Sequence, residues 1–440
     1  MRVIYSLIAL TLAPISTVPP LAAAPVASVS QVNGREVAAE IRKLLDSNYV
    51  LPELRPKFDA VLDNGISAGR YDVSDPDELV KRLNADLHSV TPDKHLGLMY
   101  DPETSAKVAA APPDAGADDA PPTADDIADA KRRNSGLIQM RILPGNIRYL
   151  ETDGFVWAGD VTERAYDDAM RFLAGGDAVI IDMRKNGGGD PFAVRYLVSH
   201  FLPPNTPLMT FYMGSKGVST TAALPKTIAP RMVGKPLYVL TSGGTASAAE
   251  EFTGHIAGYK LGELIGENTA GAGFRNQFYP LPDGMVISIS VGRAILASTG
   301  KSWEGVGFAP NTAVPVDQAL DVAEAHALKR LASTAPPEKR RALEVQAAML
   351  LAKMTPVKTA LPAEAYVGDY GERTVQADGE TLIVTRKGGA TSKLVAIGPN
   401  QFAYENDPGA TLTFDVSGSR ATALHLIRSD GSTANGIRTQ

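Results

Sequence analysis

Apolar residues recur at helical spacing near the start of the chain. Val37, Ile41, Leu44 and Leu45 form one stripe, and Leu79, Leu83 and Leu87 form another. Ser74-Asp75-Pro76 supplies a start signal for the second. Residues 33–98 therefore read as a small helical domain. The texture changes at 102–135, where Ala, Pro and Asp dominate and apolar periodicity is lost. Such a stretch buries little, so it is expected to be an acidic, Ala/Pro-rich loop. Solvated linker fits its aspartates (Asp114, Asp118, Asp119, Asp125, Asp126 and Asp129) better than a calcium loop, because the turn-forming glycine spacing is missing.

From 136 to 325 short apolar runs alternate with amphipathic ones. Ala178–Met183 leads into Gly187-Gly188-Gly189. Leu237–Leu240 leads into Ser242-Gly243-Gly244 and then a helix over Ala246–Tyr259. Leu264-Ile265-Gly266 is a third run. Buried strands feeding glycine turns and helices predict an α/β layered core. Pro282-Asp283-Gly284 predicts a hairpin into Met285–Val291. An Ala/Leu-rich helix broken near Pro336-Pro337 reads as a connector over 326–360. Regular turn signals from Asp378-Gly379 to Asp430-Gly431 predict a small all-β domain at 363–440.

Composition narrows the chemistry. With 440 residues, 44% hydrophobic and 21% charged, the chain is long enough for several packed cores. A formal net charge of −6 without a basic block argues against a nucleic-acid partner. Cys is absent, so thiol catalysis, disulfides and Cys-ligated zinc are excluded. Residues 1–23 have the layout of a secretory signal: Arg2, an apolar stretch, and Ala22-Ala23 before the expected cut. That stretch is too short to span a bilayer and no later run reaches that length. A periplasmic or secreted protein without an integral membrane span is expected.

Ser247 lies where a buried strand becomes a helix. Free N–H groups at a helix start favour an alkoxide or oxyanion, although Ser247 or Thr245 could equally be a helix cap. The three glycines at 187–189 let a backbone N–H approach the same oxyanion; a tight turn or a phosphate cradle reads the run equally well, though no Walker Lys follows. A serine nucleophile needs a base, and there are six histidines. His255 lies eight residues along the helix from Ser247, roughly 12 Å, so it is out of reach. His88, His200, His326 and His425 fit packing, capping or surface roles. His95 sits where a helical region meets an extended one and is the one placed to face a cleft, unless it merely fills a loop.

Ile181–Gly189, Thr241–Glu250 and Gly266–Gly271 together resemble the S41 peptidases, the tail-specific or C-terminal-processing protease superfamily. Leu143–Ile147 and Asp93–Leu96 resemble its branch similar to interphotoreceptor retinoid-binding protein. The resemblance implies a ClpP/crotonase-like α/β core preceded by a helical domain. It implies Ser247 as nucleophile, with an oxyanion hole from Ala248 and from Gly187 or Gly188. The Lys of a Ser–Lys dyad would stand at position 272, which is Ala272, and no Lys lies between Lys260 and Lys301. The tricorn-like branch instead implies His95 as base and Glu304, within Ser302–Asn311, as the acid that orients it. Asp93 is the alternative acid. Tricorn's Ser before the His is Lys94 here. A peptide or protein substrate is implied, with no metal or organic cofactor. The usual PDZ domain is missing, its place taken by the acidic stretch. The β domain, opening on Tyr366–Gly371, looks like small lipocalin-like domains; gating, homo-oligomer formation and passive capping are its open roles. A binding protein for apolar ligands or peptides on the same fold is the rival reading.

Overall fold

The computed structural model describes residues 32–111, 121–214 and 217–439. The expected signal at 1–23 and Asp114, Asp118 and Asp119 lie outside them. Helices α1 (Gly34–Asn48), α2 (Arg55–Ser67) and α3 (Pro76–Val90) form the N-terminal bundle. Asn33 and Asp75 cap the first and third, accepting from the N–H groups of Glu36 and Asp77. Leu79, Leu83 and Leu87 of α3 are fully buried, as the spacing predicts.

Strand β1 (Gly97–Tyr100) follows, then α4 (Pro102–Ala110) and α5 (Ala124–Arg132). These two helices correct the expectation of a plain loop over 102–135. Local capping outweighs the unfavourable composition. Asp101 accepts from Thr104 N at 3.0 Å, and Thr123 with Asp126 forms a reciprocal capping box.

The core is built from β2 (Leu137–Leu143), β3 (Ile147–Thr152), α6 (Asp160–Ala174), β4 (Ala178–Asp182), α7 (Pro191–Val198), β5 (Pro207–Tyr212) and β6 (Val218–Ala222). It continues through β7 (Leu237–Thr241), α8 (Ala248–Gly258), β8 (Glu263–Gly266), β9 (Phe274–Pro280), β10 (Met285–Leu296) and β11 (Thr312–Ala313). A six-stranded sheet runs β11-β8-β7-β4-β3-β2, parallel except for the β2–β3 hairpin. Every residue of β4 and β7 is buried. That explains their unbroken apolar run, because helices cover both faces. Val179 and Ile181 face a cluster with Met170, Val194 and Phe252. Ile180 and Tyr238 face another with Val322, Ala323 and Leu328.

That second cluster belongs to α9 (Ala319–Thr334) and α10 (Pro337–Met354). The stretch read as a connector thus forms a layer of the core, and α9 runs through the boundary expected at 325/326. Its alanines let the helix lie close against the sheet. The N-terminal helices are not independent either. Their core includes Leu281, Met285, Ile287 and Ile289, so they share β10 with the antiparallel sheet β1-β10-β5-β6, where β9 also pairs with β10.

Eight antiparallel strands, β12 (Gly368–Tyr370) through β19 (Thr433–Ile437), form the C-terminal domain around Tyr366, Phe402 and Phe414. The sheet curls into a near-barrel: Thr439 N donates to Asp369 O at 2.9 Å, bringing its ends together. Among the described residues no helix is long and apolar enough to cross a membrane.

Leu83 has no solvent exposure and packs in the core shared with β10. Leu83→Ala is expected to lower unfolding free energy by about 2–5 kcal/mol in a urea titration. An unchanged midpoint would show that this core does not hold the fold.

Candidate active site

Strand β7 ends at Thr241, and the turn 242–247 delivers the chain into α8. Ser247 is the residue just before the helix, with φ 53° and ψ −120°. A non-glycine residue held there costs about 1–3 kcal/mol, so neighbouring contacts must hold it. They are visible. Ser247 N donates to Glu250 Oε2 at 3.0 Å, and Ala246 N donates to Asn186 O at 3.1 Å. Thr245 Oγ1 donates to Met183 O at 2.8 Å, and Ser242 Oγ to Arg184 O at 2.6 Å. The serine turn is therefore fastened to the glycine turn after β4.

Gly188 shows how close that approach is. A Cβ there would lie 2.7 Å from Ser247 Cβ and 3.0 Å from Ala248 N, and φ is +108°. Only glycine fits. The Gly188 N–H is engaged by Asn186 Oδ1 at 2.9 Å, whereas the space around Gly187 is open. Asn186 is itself fixed, its Nδ2 donating to Thr152 Oγ1 at 2.8 Å. Ala248 is the first residue of α8 and points its N–H toward the same region as any helix start does.

His95 lies in the loop between α3 and β1. Its Nε2 is 3.0 Å from Ser247 Oγ, across 152 residues of sequence. Asp93 shapes this loop. One carboxylate oxygen accepts from His95 N at 2.9 Å and the other from Tyr49 Oη at 3.1 Å, and the residue is buried. This is a turn-stabilising role; Asp93 makes no bond to the imidazole ring. His95 Nδ1 is buried and has no hydrogen-bond partner among the described residues. Burial pushes the imidazole pKa down, with Asp93 and Glu250 opposing and Arg275 assisting.

Glu304 does not bond to the ring either. Its Oε2 accepts from Gly273 N at 2.6 Å and Phe274 N at 2.9 Å. Burial raises its pKa to about 7; the two N–H donors pull against that rise, and nearby Asp93 and Glu250 add to it. A carboxyl group poised near neutrality thus sits in the same buried neighbourhood as Asp93. Ala272 occupies the position a Lys base would take. It is buried, its N–H donating to Glu250 and its carbonyl accepting from Trp303 Nε1 at 3.1 Å. Lys94 Nζ is spent on Ala270 O.

Two contributors escaped the sequence reading. Tyr49, fully buried, holds Asp93, and no motif announces it. Glu250, also fully buried, accepts from Thr269 Oγ1, Gly271 N, Ala272 N and Ser247 N. A signal for it existed: Ser247-Ala-Ala-Glu250 is a capping-box pattern at a helix start. Among the described residues no cluster of three or more His, Asp or Glu is placed to hold a metal ion.

Residues 146–314 match peptidase family S41, and residues 27–141 match the N-terminal domain of peptidase S41 in eukaryotic IRBP. The carboxyl-terminal-processing protease of Synechocystis sp. (strain ATCC 27184 / PCC 6803 / Kazusa) is 29% identical over 145 residues, covering 32% of this chain and 33% of that protein. That of Picosynechococcus sp. (strain ATCC 27264 / PCC 7002 / PR-6) is 28% identical over 119 residues, covering 27% and 28%. The chain thus spans about a third of the length of the curated relatives it matches. Among solved structures, a lipoprotein from Streptococcus agalactiae aligns with 72% of this chain and 99% of its own at TM-score 0.48 and 16% identity. The tricorn protease aligns with 72% of this chain and 37% of its own at TM-score 0.40 and 12% identity. The two matched regions follow one another, so the chain carries a peptidase family S41 domain at residues 146–314 preceded by an S41 N-terminal domain at residues 27–141.

Proposed function

We propose that the chain is a serine peptidase in which Ser247 is the nucleophile and His95 the base. The observation that carries this reading is the 3.0 Å contact between His95 Nε2 and Ser247 Oγ at a strained helix start. Ser247 Oγ attacks the scissile carbonyl carbon while its proton passes to His95 Nε2. The carbonyl oxygen becomes an oxyanion facing the Ala248 N–H and the glycine turn at 187–188. Each such donor is worth about 2.7–4 kcal/mol of barrier. The intermediate collapses as the C–N bond breaks and His95 returns the proton to the leaving amine. Water, deprotonated by His95, then attacks the acyl-enzyme; the acyl C–Oγ bond breaks and His95 returns that proton to Ser247 Oγ. The carboxylates of Asp93 and Glu250 favour the imidazolium that forms in each half, and Glu304 is proposed to add to them once it is ionised.

Peptides or proteins are the substrates in this reading, in keeping with the processing proteases the core resembles. The leader-like first 23 residues support action in the periplasm or outside the cell. The rival, a carrier of apolar ligands, expects Ser247 and His95 beyond hydrogen-bond reach. The contact between them and the charged groups around it favour chemistry.

A fluorophosphonate probe should add one adduct to the wild-type protein, read by intact mass. Ser247→Ala should take none, and His95→Ala should react about 10²–10⁴-fold more slowly. A folded wild-type protein that takes no adduct would sink the reading.

The pH profile tests Glu304. Its carboxyl ionises as pH rises through about 7. If the ionised form supports the imidazolium, kcat/KM should rise to a plateau with a midpoint near 7. In Glu304→Gln that limb is left to His95, whose pKa lies below the ordinary 6.5. The midpoint should then shift below 6.5 and the plateau should fall. A midpoint that stays near 7 in the variant would rule Glu304 out as the titrating group.

A further inference from the structure

A cavity of about 470 Å³ opens beside Ser247 and Ala248. Glu251 lies on its wall. It stands four residues after Ser247, in the first turn of α8, and both residues line the cavity. Glu251 is only 5% exposed, and its carboxylate accepts no hydrogen bond among the described residues. Its ion-pair contact among the described residues is with His255 Nε2 at 3.7 Å, deeper on the helix, and that ring is fully buried with neither nitrogen hydrogen-bonded among the described residues. A carboxylate this enclosed loses much of its hydration and gains from a cationic partner. It persists here on the wall of a cavity that reaches the reactive serine.

The rest of the wall defines what would satisfy it. Trp157, Phe211, Phe274 and Trp303 line the cavity with aromatic surface. Three carboxylates, Asp126, Asp190 and Glu251, share the wall with one guanidinium, Arg275. Asp126 is tied to the Thr123 cap and Asp190 caps α7, while the Arg275 guanidinium lies 5.0 Å from the centre of the Phe211 ring. Among these described lining residues acids outnumber the base. Aromatic faces cover the methylene stem of a long cationic side chain and attract its head, and the acid at one turn's depth receives it.

We propose that Glu251 selects a lysine or arginine side chain for the substrate residue on the acyl side of the scissile bond. This rests on the peptidase reading, since it places that residue beside Ser247. Arg275 and the aromatic walls make the site amphipathic, so a neutral chain of the same length enters but leaves the acid unpaired.

Both tryptophans of the chain, Trp157 and Trp303, line the cavity and report its occupancy by fluorescence. The test uses the full chain carrying Ser247→Ala, which binds without turning over. Blocked peptides Ala-Ala-X-Ala-Ala, with X as lysine, norleucine or glutamate, are titrated. The lysine peptide should bind at least about tenfold more tightly than the norleucine peptide, with glutamate weakest. Adding Glu251→Gln should bring the lysine-to-norleucine ratio close to one. Norleucine binding as tightly as lysine, no peptide binding at all, or a ratio unmoved by Glu251→Gln each overturns the proposal. Should the double variant fail to fold by near-ultraviolet circular dichroism, the ratio in Ser247→Ala alone decides. The wild-type protein is given the same peptides. Selective binding without Ser247-dependent cleavage sinks the peptidase reading and keeps the cationic pocket. Cleavage without selectivity does the reverse.

Discussion

The site depends on one buried carboxylate. Glu250 has no exposure and accepts four hydrogen bonds, from Ser247 N, Thr269 Oγ1, Gly271 N and Ala272 N. An ion taken out of water loses several kcal/mol of solvation, so it persists only where its oxygens are fully supplied with donors. Those donors come from the start of α8 and from the turn after β8. Meeting the carboxylate's need locks the two segments together. It also helps to hold Ser247 in backbone geometry that a free chain would leave.

The same fastening spreads outward. Ala272 gives its N–H to Glu250 and its carbonyl to Trp303, and the next two N–H groups, of Gly273 and Phe274, bind Glu304. Three acidic residues, Asp93, Glu250 and Glu304, thereby share one buried neighbourhood. Burial and the other two charges hold the Glu304 carboxyl near neutrality. Position 272 is occupied by a small side chain whose backbone is already committed, so a cationic base has no place there. Imidazole from the opposite side takes that role in the proposed chemistry.

The opposite side is the N-terminal bundle. His95 reaches Ser247 because α3 and β1 are pinned to β10, which also pairs with β5 and β9. Tyr49 from the end of α1 buttresses Asp93, and Asp93 in turn sets the loop that carries the imidazole. The contact between His95 and Ser247 therefore spans two hydrophobic cores, and its distance is set by how those cores pack on one long strand.

Local order was written in the sequence. The Leu79–Leu83–Leu87 stripe, the unbroken apolar runs at 178–183 and 237–240, and the glycine turns after them specify helices, buried strands and their order, because each depends on residues a few positions apart. The serine at a strand-to-helix junction was legible for the same reason, as was the lack of a Lys at 272. The capped helices inside 102–135 and the layer formed by α9 were missed, since composition masked the caps and periodicity does not say what a helix packs against. Only the tertiary structure decided that His95 meets Ser247, that Asp93 braces a turn through Tyr49, that Glu304 binds backbone N–H groups, and that Glu251 lines a cavity. Those facts depend on residues brought together from distant parts of the chain, where burial fixes charge and geometry and sequence spacing carries no distance.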